Sequence, residues 1–312
     1  MRTADIVIDT VDEVALQGYE WLPDGDPRAV VVIAHGMAEH ARRYQRFAQA
    51  LTDAGYAVYA YDHRGHGRTA QASGSPLGFF ADEGGWDLVV GDLGAVREFA
   101  AARHPGLPLF VFSHSMGSLI TRAYLQRHGA GLAGVVLSGT AGDPGPARLA
   151  GLVAAHLEAR LRGRRTPSPT LDKLIFGSFN KPFERNGVAR TDFEWLSRDE
   201  AEVDAYVADP WCGFVCTTQF YADLLGGVAA IHDPKRIADV PADVPLYLIA
   251  GSADPVGDQW KGVLAAKGQF QKAGVRDVRS EVYRGARHEI LNETCRDRVT
   301  SDVIAWLDEH AA

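Results

Sequence analysis

The sequence predicts an α/β fold: a mostly parallel eight-stranded sheet flanked by helices, with a mainly helical cap inserted after the sixth strand. Three observations lead to this prediction. Short apolar runs alternate with helical patterns along the 312 residues, as is typical of a parallel sheet covered by helices. Most of these runs are continuously apolar, as strands buried on both faces require. One long stretch interrupts the alternation and contains no clean strand.

Eight short runs are rich in strand-forming residues, and we expect a strand at each of them. They are residues 5–9, 15–21, 30–35, 57–62, 109–113, 134–138, 246–250 and 278–283. The first two runs alternate polar and apolar residues, which predicts a hairpin at a sheet edge, whereas the later runs indicate strands buried on both faces. Helical periodicity predicts helices at residues 43–54, 87–103, 118–127, 261–273 and 298–310.

Residues 142–239 break this rhythm, because Pro and Gly recur there and aromatic residues collect. We expect an insertion carried on the sheet, with residues 1–141 and 240–312 forming the core. A second small helical core would explain most of the aromatics. We favour a lid whose inner face lines an apolar pocket, since long insertions in compact domains are usually functional. The aromatics are Phe176, Phe179, Phe183, Phe193, Trp195, Tyr206, Trp211, Phe214, Phe220 and Tyr221.

Charge and hydropathy exclude several classes of protein. Lys+Arg 32 against Asp+Glu 40 give a net charge of −8, which argues against a nucleic-acid-binding protein. No apolar run approaches the roughly 18 residues of a membrane span, and the first residues are followed by alternation rather than by the apolar core of a signal peptide. We therefore expect a cytoplasmic protein, and the sequence predicts no oligomeric state.

Neither a cofactor nor a metal is expected. The G-x-G-x-x-G pattern fails at residues 65–70, where Ala70 takes the place of the third glycine, and no Walker A motif occurs. The three cysteines, Cys212, Cys216 and Cys295, lack a second paired motif for zinc. Five potential ligands lie in two loops without the compact spacing of a metal site, so we expect a structural network instead. They are His35, His40, Asp62, His63 and His66.

The most informative stretch is SHSMG at residues 113–117, where a buried strand leads directly into a helical pattern. A serine at such a turn is held in a strained, exposed position, and the next amide points at a developing oxyanion. The usual motif is G-x-S-x-G, and Ser113 takes the place of the first glycine, where a small side chain is needed. On this motif alone, Ser115 is either a nucleophile or a plain helix cap.

Acyl transfer also needs a base to accept the serine proton and an acid to hold the base. Asp254 follows a buried strand, and His288 follows the next predicted strand. Both lie at carboxyl ends of strands, where open α/β sheets bind ligands. The other histidine after Asp254 is His310, on the terminal helix. Asp258 is the rival acid, but Asp254 directly ends its strand and is favoured.

Four blocks occur in order between residues 30 and 293: HGMAEH at 35–40 with Arg43 and Tyr44, DHRGHGR at 62–68, GSAD at 251–254, and HEILNE at 288–293. They are similar to H-G-x-G-E-H…R-Y, D-x-R-G-H-G and H-E-x-x-N-E of the α/β-hydrolase superfamily. The chain thus resembles the monoacylglycerol lipase and lysophospholipase branch of that superfamily, also called the serine aminopeptidase-like group.

The resemblance implies a cofactor-free serine hydrolase that cleaves carboxylic esters of single-chain lipids through an acyl-enzyme. It implies Ser115 as nucleophile, His288 as base and Asp254 as the acid that orients the base. It further implies an oxyanion hole formed by the backbone amides of Met37 and Met116. Two residues depart from the motif glycines, Ser113 and Ala38, and both keep the side chain small.

Alternatives remain open at this point. The same machinery serves a small-ester carboxylesterase or an amide-cleaving peptidase, and the same fold serves non-catalytic small-molecule receptors. The intact serine, aspartate and histidine weigh against a receptor, which need not keep a base. A basic run in the insertion is either a solvated helix face or a docking site for an anionic lipid surface, where each basic residue adds about 1 kcal/mol. The run is Arg160, Arg162, Arg164 and Arg165.

Overall fold

The computed structural model describes residues 1–184 and 186–311, and its strands form one eight-stranded sheet in the order β1-β2-β4-β3-β5-β6-β7-β8. The strands are β1 (Arg2–Asp9), β2 (Ala15–Leu22), β3 (Ala29–Ala34), β4 (Tyr56–Tyr61), β5 (Leu109–His114), β6 (Gly134–Ser138), β7 (Leu246–Gly251) and β8 (Val278–Tyr283). The two pairs that involve β2 are antiparallel, and the other five pairs are parallel. The predicted mostly parallel sheet is confirmed.

Eleven α-helices accompany the strands in the described residues. They are α1 (Gln45–Asp53), α2 (Gly67–Ser73), α3 (Gly85–Arg103), α4 (Met116–His128), α5 (Ala147–Arg162), α6 (Pro169–Phe176), α7 (Glu200–Ala208), α8 (Thr218–Ile231), α9 (Pro234–Ile237), α10 (Lys261–Lys272) and α11 (Arg296–His310). Helix α2 escaped prediction because two turns are too short for a periodic pattern. Arg185 of the predicted insertion and Ala312 of the predicted core lie outside the described residues.

The two edges of the sheet differ in burial. The predicted hairpin is confirmed, since β1 pairs along its whole length with β2 and lies at one edge. The prediction of burial on both faces is wrong for β8, where Arg279 and Val282 are exposed. The physical reason is that β8 is the opposite edge strand and has one neighbour only.

The five strands from β3 to β7 are buried at every residue. Pairing of Ala34 with Ser113 and of His114 with Ser138 aligns the carboxyl ends of β3, β5 and β6. Gly251 at the end of β7 pairs with Tyr283 at the end of β8. Since all these strands are parallel, the loops that follow them meet at one edge of the sheet.

Five α-helices, α5 to α9, lie between β6 and β7, in the segment that we call the insertion (residues 142–239). Its aromatic residues Phe220 and Tyr221 are fully buried in the same apolar cluster as Trp86 of α3. These two rings of the insertion therefore extend the core on one face of the sheet. In the described part of the chain, no helix is long and apolar enough to cross a lipid bilayer.

Two adjacent glycines of α8 allow a direct test of how the insertion packs. A methyl group at Gly227 would overlap the Trp86 ring, whereas one at Gly226 would meet no atom within 4 Å. Gly227→Ala should lower the free energy of unfolding by roughly 1–3 kcal/mol through overpacking. Gly226→Ala should raise it by about 0.5–1 kcal/mol, because alanine favours helix. Urea unfolding of both variants measures the difference, and equal effects would contradict this packing.

Candidate active site

Ser115 lies at the turn between β5 and α4 in a strained backbone conformation, with φ 50° and ψ −119°. Its amide donates to the carbonyl of Ser138 at 2.9 Å, and its carbonyl accepts from the Ser118 hydroxyl at 2.6 Å. A side chain at Gly117 would overlap the Ala34 carbonyl oxygen, so glycine lets α4 approach β3. The turn has the strand-to-helix geometry that the sequence predicts.

Ser113, which replaces the first glycine of the usual motif, is fully buried at the end of β5. Its hydroxyl donates to the backbone carbonyl of Val136 at 3.1 Å. A buried hydroxyl is costly when it has no partner and nearly neutral when it has one. The departure from glycine is therefore accommodated without disturbing the turn at Ser115.

Asp254 and His288 meet at the ends of β7 and β8, and both are buried. His288 Nδ1 lies 2.9 Å from Asp254 Oδ2, while the other carboxylate oxygen accepts the amide of Val256 at 2.9 Å. Asp258, the rival acid, is exposed and lies 3.8 Å from Lys261. His310 contacts Asp277 at 3.1 Å. The structure thus brings Asp254, and not Asp258, to the predicted base.

The imidazole of His288 is enclosed by further groups. The ring of His114 lies 4.6 Å from it, and the ring of Trp195, from the insertion, lies 5.2 Å from it. The backbone amide of His288 donates to the Trp195 carbonyl at 3.3 Å. A Cβ at Gly139 would approach the His288 ring to 3.0 Å. Packing and hydrogen bonding together hold the ring in one orientation.

Burial of the His288 ring would lower its pKa, because burial disfavours the charged form. The charge and the hydrogen bond of Asp254 outweigh burial, with further support from Glu289 and Glu39, so the pKa of His288 is raised above the usual 6.5. A base with a raised pKa is protonated over more of the neutral pH range. If His288 is the base, the rate should therefore begin to fall on acidification at a pH above 6.5.

The predicted oxyanion loop follows β3. Met37 is partly buried, and Ala38 adopts φ 51°, in the left-handed region that glycine tolerates without strain. The amide of Gly36 donates to Glu39 at 2.6 Å. The carbonyl of Ala38 accepts from the Gly213 amide at 2.9 Å. Local and long-range hydrogen bonds thus hold the loop despite the alanine.

A buried ion cluster links this loop to the loop of His288. Arg43 donates to Glu39 at 2.7 Å and, through two nitrogens, to both oxygens of Glu289 at 2.7 Å. Burial would raise the pKa of Glu289, but Arg43 lowers it to about 2. Burial raises the pKa of Glu39, which meets only one nitrogen of Arg43. Tyr44 donates to Glu39 at 2.9 Å.

Three of the four histidines in the loops at 35–40 and 62–68, namely His35, His63 and His66, make hydrogen bonds to backbone groups, in agreement with the expected structural network. The amide of His63 donates to His35 Nε2 at 3.0 Å. Asp62 accepts the amides of Ala41 and Arg68, each at 2.8 Å. Burial, with the charge of His66 as a smaller cause, lowers the pKa of His63 to about 3, so this ring is neutral at pH 7.

Sequence reasoning assigned no role to Trp195 or to the cluster of Arg43, Glu39 and Glu289. The cluster residues stand inside the motif blocks at 35–44 and 288–293. Opposite charges in two separate motifs were an available signal for their pairing. Trp195 was only one of many aromatics in the insertion, and nothing in its local sequence distinguishes it.

A serine at a strained strand-to-helix turn and a buried histidine–aspartate pair at neighbouring strand ends define the α/β-hydrolase class. Within that class the chain belongs to the family described as serine aminopeptidase, S33, whose model matches residues 25–295. This membership confirms the resemblance to the monoacylglycerol lipase branch.

Relatives of known description agree with this assignment. The chain is 34% identical over 290 residues to a monoacylglycerol lipase of Mycolicibacterium smegmatis, covering 93% of this chain and 91% of that one. It is 28% identical to the human monoglyceride lipase, covering 94% and 86%. A solved thermostable carboxyl esterase from Bacillus coagulans, in complex with glycerol, superposes with a TM-score of 0.91 at 30% identity over 100% of both chains.

Replacing Asp254 and Asp258 one at a time tests which of them supports His288. Asp254→Asn should lower kcat by about 10³–10⁴-fold, because the amide supports neither the tautomer nor the imidazolium of His288. The pH below which kcat/KM falls should also be lower in Asp254→Asn than in the wild type. Burial of His288 then lowers its pKa without the opposing charge of Asp254. Asp258→Asn, at an exposed site, should change neither. The measurement is kcat/KM from pH 5 to 9; a greater loss in Asp258→Asn would exchange the two roles.

Proposed function

We propose that this protein is a serine hydrolase that cleaves carboxylic esters of single-chain lipids, with monoacylglycerol-like or lysophospholipid-like substrates. The observation that carries the proposal is the buried His288–Asp254 pair, whose ring packs at 4.6 Å against His114, the residue before Ser115. The names of the relatives support the substrate class, since two of them are a monoacylglycerol lipase and a monoglyceride lipase.

The proposed reaction proceeds through an acyl-enzyme. Ser115 Oγ attacks the ester carbonyl while His288 Nε2 takes the hydroxyl proton, and Asp254 stabilises the resulting imidazolium. The amides of Met37 and Met116 donate to the oxyanion. Collapse of the tetrahedral intermediate breaks the ester C–O bond, and the alcohol leaves with the proton from His288. Water then attacks the acyl-enzyme with the same base, releasing the fatty acid and restoring Ser115.

An aromatic group of the insertion supports an apolar acyl site beside the proposed base. Trp195, which packs on His288, stacks on Phe176 at 6.1 Å and meets Phe179 edge-on at 5.3 Å. Two of these rings come from the segment around α6, so an aromatic group of the insertion lies on one side of the proposed base. On this basis residues 142–239 act as a cap over a core formed by residues 1–141 and 240–312.

Acyl-chain preference tests the substrate class. Each buried methylene contributes about 0.8 kcal/mol, so kcat/KM should rise by about two orders of magnitude from p-nitrophenyl butyrate to the octanoate. The series runs from acetate to dodecanoate, with each ester below its micellar limit. A steady decline of kcat/KM from acetate onward would contradict the proposed lipid substrates and indicate small esters instead.

Ser115→Ala is the control for this series. It should lose hydrolysis of every ester by several orders of magnitude, together with labelling by a fluorophosphonate probe, while its unfolding transition stays that of a folded chain. Labelling that persists in this variant would contradict the assignment of the nucleophile, whatever the chain-length preference.

We also infer that α5 contacts lipid surfaces during catalysis. Four apolar side chains on α5 follow one another at intervals of four residues and are exposed: Leu149 by 56%, Val153 by 67%, Leu157 by 56% and Leu161 by 75%. Residues four apart share a helix face, so they form one apolar stripe. An exposed contiguous apolar stripe indicates an interaction site.

The basic run beside the stripe contributes less to this proposal than the stripe itself. Arg162 pairs with Glu158, and Arg165 pairs with Asp82 at 2.6 Å. Arg164 donates to the Asp82 carbonyl at 2.6 Å. Three of the four arginines are therefore engaged within the chain. We expect binding to depend on apolar contact more than on lipid charge.

Binding to phospholipid vesicles distinguishes the contribution of the apolar stripe from that of the basic run. Leu157→Glu should reduce co-sedimentation with both neutral and anionic phospholipid vesicles by about tenfold or more. Burying a leucine side chain in the lipid contributes roughly 1.5–3 kcal/mol to binding, and the variant loses this contribution. Val207→Glu is the matched control, since Val207 on α7 is 51% exposed and lies away from the stripe in sequence. Equal loss in both variants, or no binding by the wild type, would contradict the role of α5.

A further inference from the structure

Three side chains with metal-binding atoms meet where the insertion packs on the loop after β3. His40 Nε2 lies 2.9 Å from Asp209 Oδ2, and one ligand atom from each of His40, Asp209 and Cys212 lies within 4.8 Å of the other two. Sequence spacing did not suggest this group, because His40 precedes Asp209 by 169 residues. The group shares only His40 with the loop histidines considered from the sequence.

Two of the three side chains come from one tight turn. The amide of Cys212 donates to the Asp209 carbonyl at 3.0 Å, and the amide of Trp211 donates to the Asp209 carboxylate at 2.8 Å. Ligands three residues apart in such a turn form a short chelating pair, as the closely spaced cysteines of zinc sites do. The backbone therefore presents a carboxylate and a thiol together to the imidazole.

We propose that His40, Asp209 and Cys212 bind one divalent transition-metal ion, with Zn²⁺ as the best fit and water as the fourth ligand. Imidazole, thiolate and carboxylate are the three ligand types that zinc takes in proteins. Tetrahedral coordination needs ligand atoms roughly 3.3–3.6 Å apart. The imidazole and carboxylate atoms must separate slightly from their 2.9 Å contact, and the thiol must move closer by about 1 Å.

Charge and access both favour a cation here. The charged groups that act most strongly on the Cys212 thiol include Arg43 and the carboxylates of Asp209, Glu39 and Glu289. The carboxylate of Asp209, one of the three ligands, supplies negative charge at the site itself. The Asp209 side chain is 31% exposed, while that of His40 is 6% exposed. An ion can therefore enter past the carboxylate and reach the imidazole from solvent.

His40 has little other role that would compete with a metal. Its Nδ1 is a buried nitrogen without a hydrogen-bond partner in the described part of the chain. The edge of the Trp211 ring packs against the imidazole at 5.6 Å, which holds the ring in place. Metal coordination by His40 would therefore replace one hydrogen bond of its side chain, the one to Asp209.

Binding releases a proton. Coordination breaks the S–H bond, forms the S–metal bond and transfers the proton to solvent.

The ion would join the insertion to the loop that carries Met37. Two groups of the same stretch, the amide of Gly213 and the hydroxyl of Tyr206, already donate to the Ala38 carbonyl at 2.9 and 2.8 Å. A ligand that binds only the folded chain stabilises it in proportion to the logarithm of its concentration over Kd. Saturation should therefore raise the Tm by roughly 5 °C.

Cobalt(II) is the probe, because a thiolate ligand gives Co²⁺ a near-ultraviolet charge-transfer band that is independent of hydrolysis. The full chain, kept reduced with a phosphine, should develop this band at one Co²⁺ per chain, and Zn²⁺ should displace it. Cys212→Ser should abolish the band, and Asp209→Asn should weaken Co²⁺ binding at least tenfold. Cys216→Ser, at a buried thiol four residues away, should leave both the band and the affinity unchanged.

Three results would overturn the proposal: no band in the wild type at millimolar Co²⁺, a band that persists in Cys212→Ser, or equal loss in Cys216→Ser. The Tm of each variant without metal shows that it is folded. Should Cys212→Ser fail to fold, Asp209→Asn decides the matter, because its side chain still accepts a hydrogen bond from His40. Unchanged Co²⁺ affinity in that variant would then contradict the site.

Discussion

The geometry of the site depends on the ion pairs that the guanidinium of Arg43 makes with the buried carboxylates of Glu39 and Glu289. Glu39 accepts the amide of Gly36 in the proposed oxyanion loop, and Glu289 adjoins the proposed base His288. Removing one partner of a buried ion pair leaves the others unpaired and costs roughly 3–5 kcal/mol. The positions of the oxyanion donors and of the base are therefore coupled through one side chain.

The insertion is attached at both of these loops. Trp195 and Leu196 accept the backbone amides of His288 and Glu289 at 3.3 and 2.8 Å. On the other side, the hydroxyl of Tyr206 donates to Ala38 at 2.8 Å, and the guanidinium of Arg43 lies 4.8 Å from the Tyr206 ring. Residues that would select the acyl chain thus also position groups that would perform the chemistry. Changes in the insertion should affect turnover as well as substrate binding.

Backbone strain is concentrated at the same edge of the sheet. Ser115 and Ala38 both adopt positive φ without being glycine, which costs of order 1–3 kcal/mol at each position. Such conformations persist only where surrounding contacts determine them. Here the Ser138 carbonyl holds the Ser115 amide, and Gly213 holds the Ala38 carbonyl. The strain is thereby supported by elements far away in sequence, including the insertion.

The sequence by itself determined the strands, five of the eleven described α-helices, the strand-to-helix turn at Ser115 and the positions of Asp254 and His288 after strands, because periodicity, strand ends and motif spacing are local properties. The edge position of β8 depended on the sheet order, which no single segment encodes. The sequence favours Asp254 over Asp258, and the tertiary structure brings Asp254 into contact with His288. Only the tertiary structure placed Trp195 on His288 and joined Glu39 to Glu289 through Arg43. It also brought His40 beside Asp209 and Cys212. These pairings join residues from separate loops, and their distances follow from how the sheet and the insertion pack, not from their spacing along the chain.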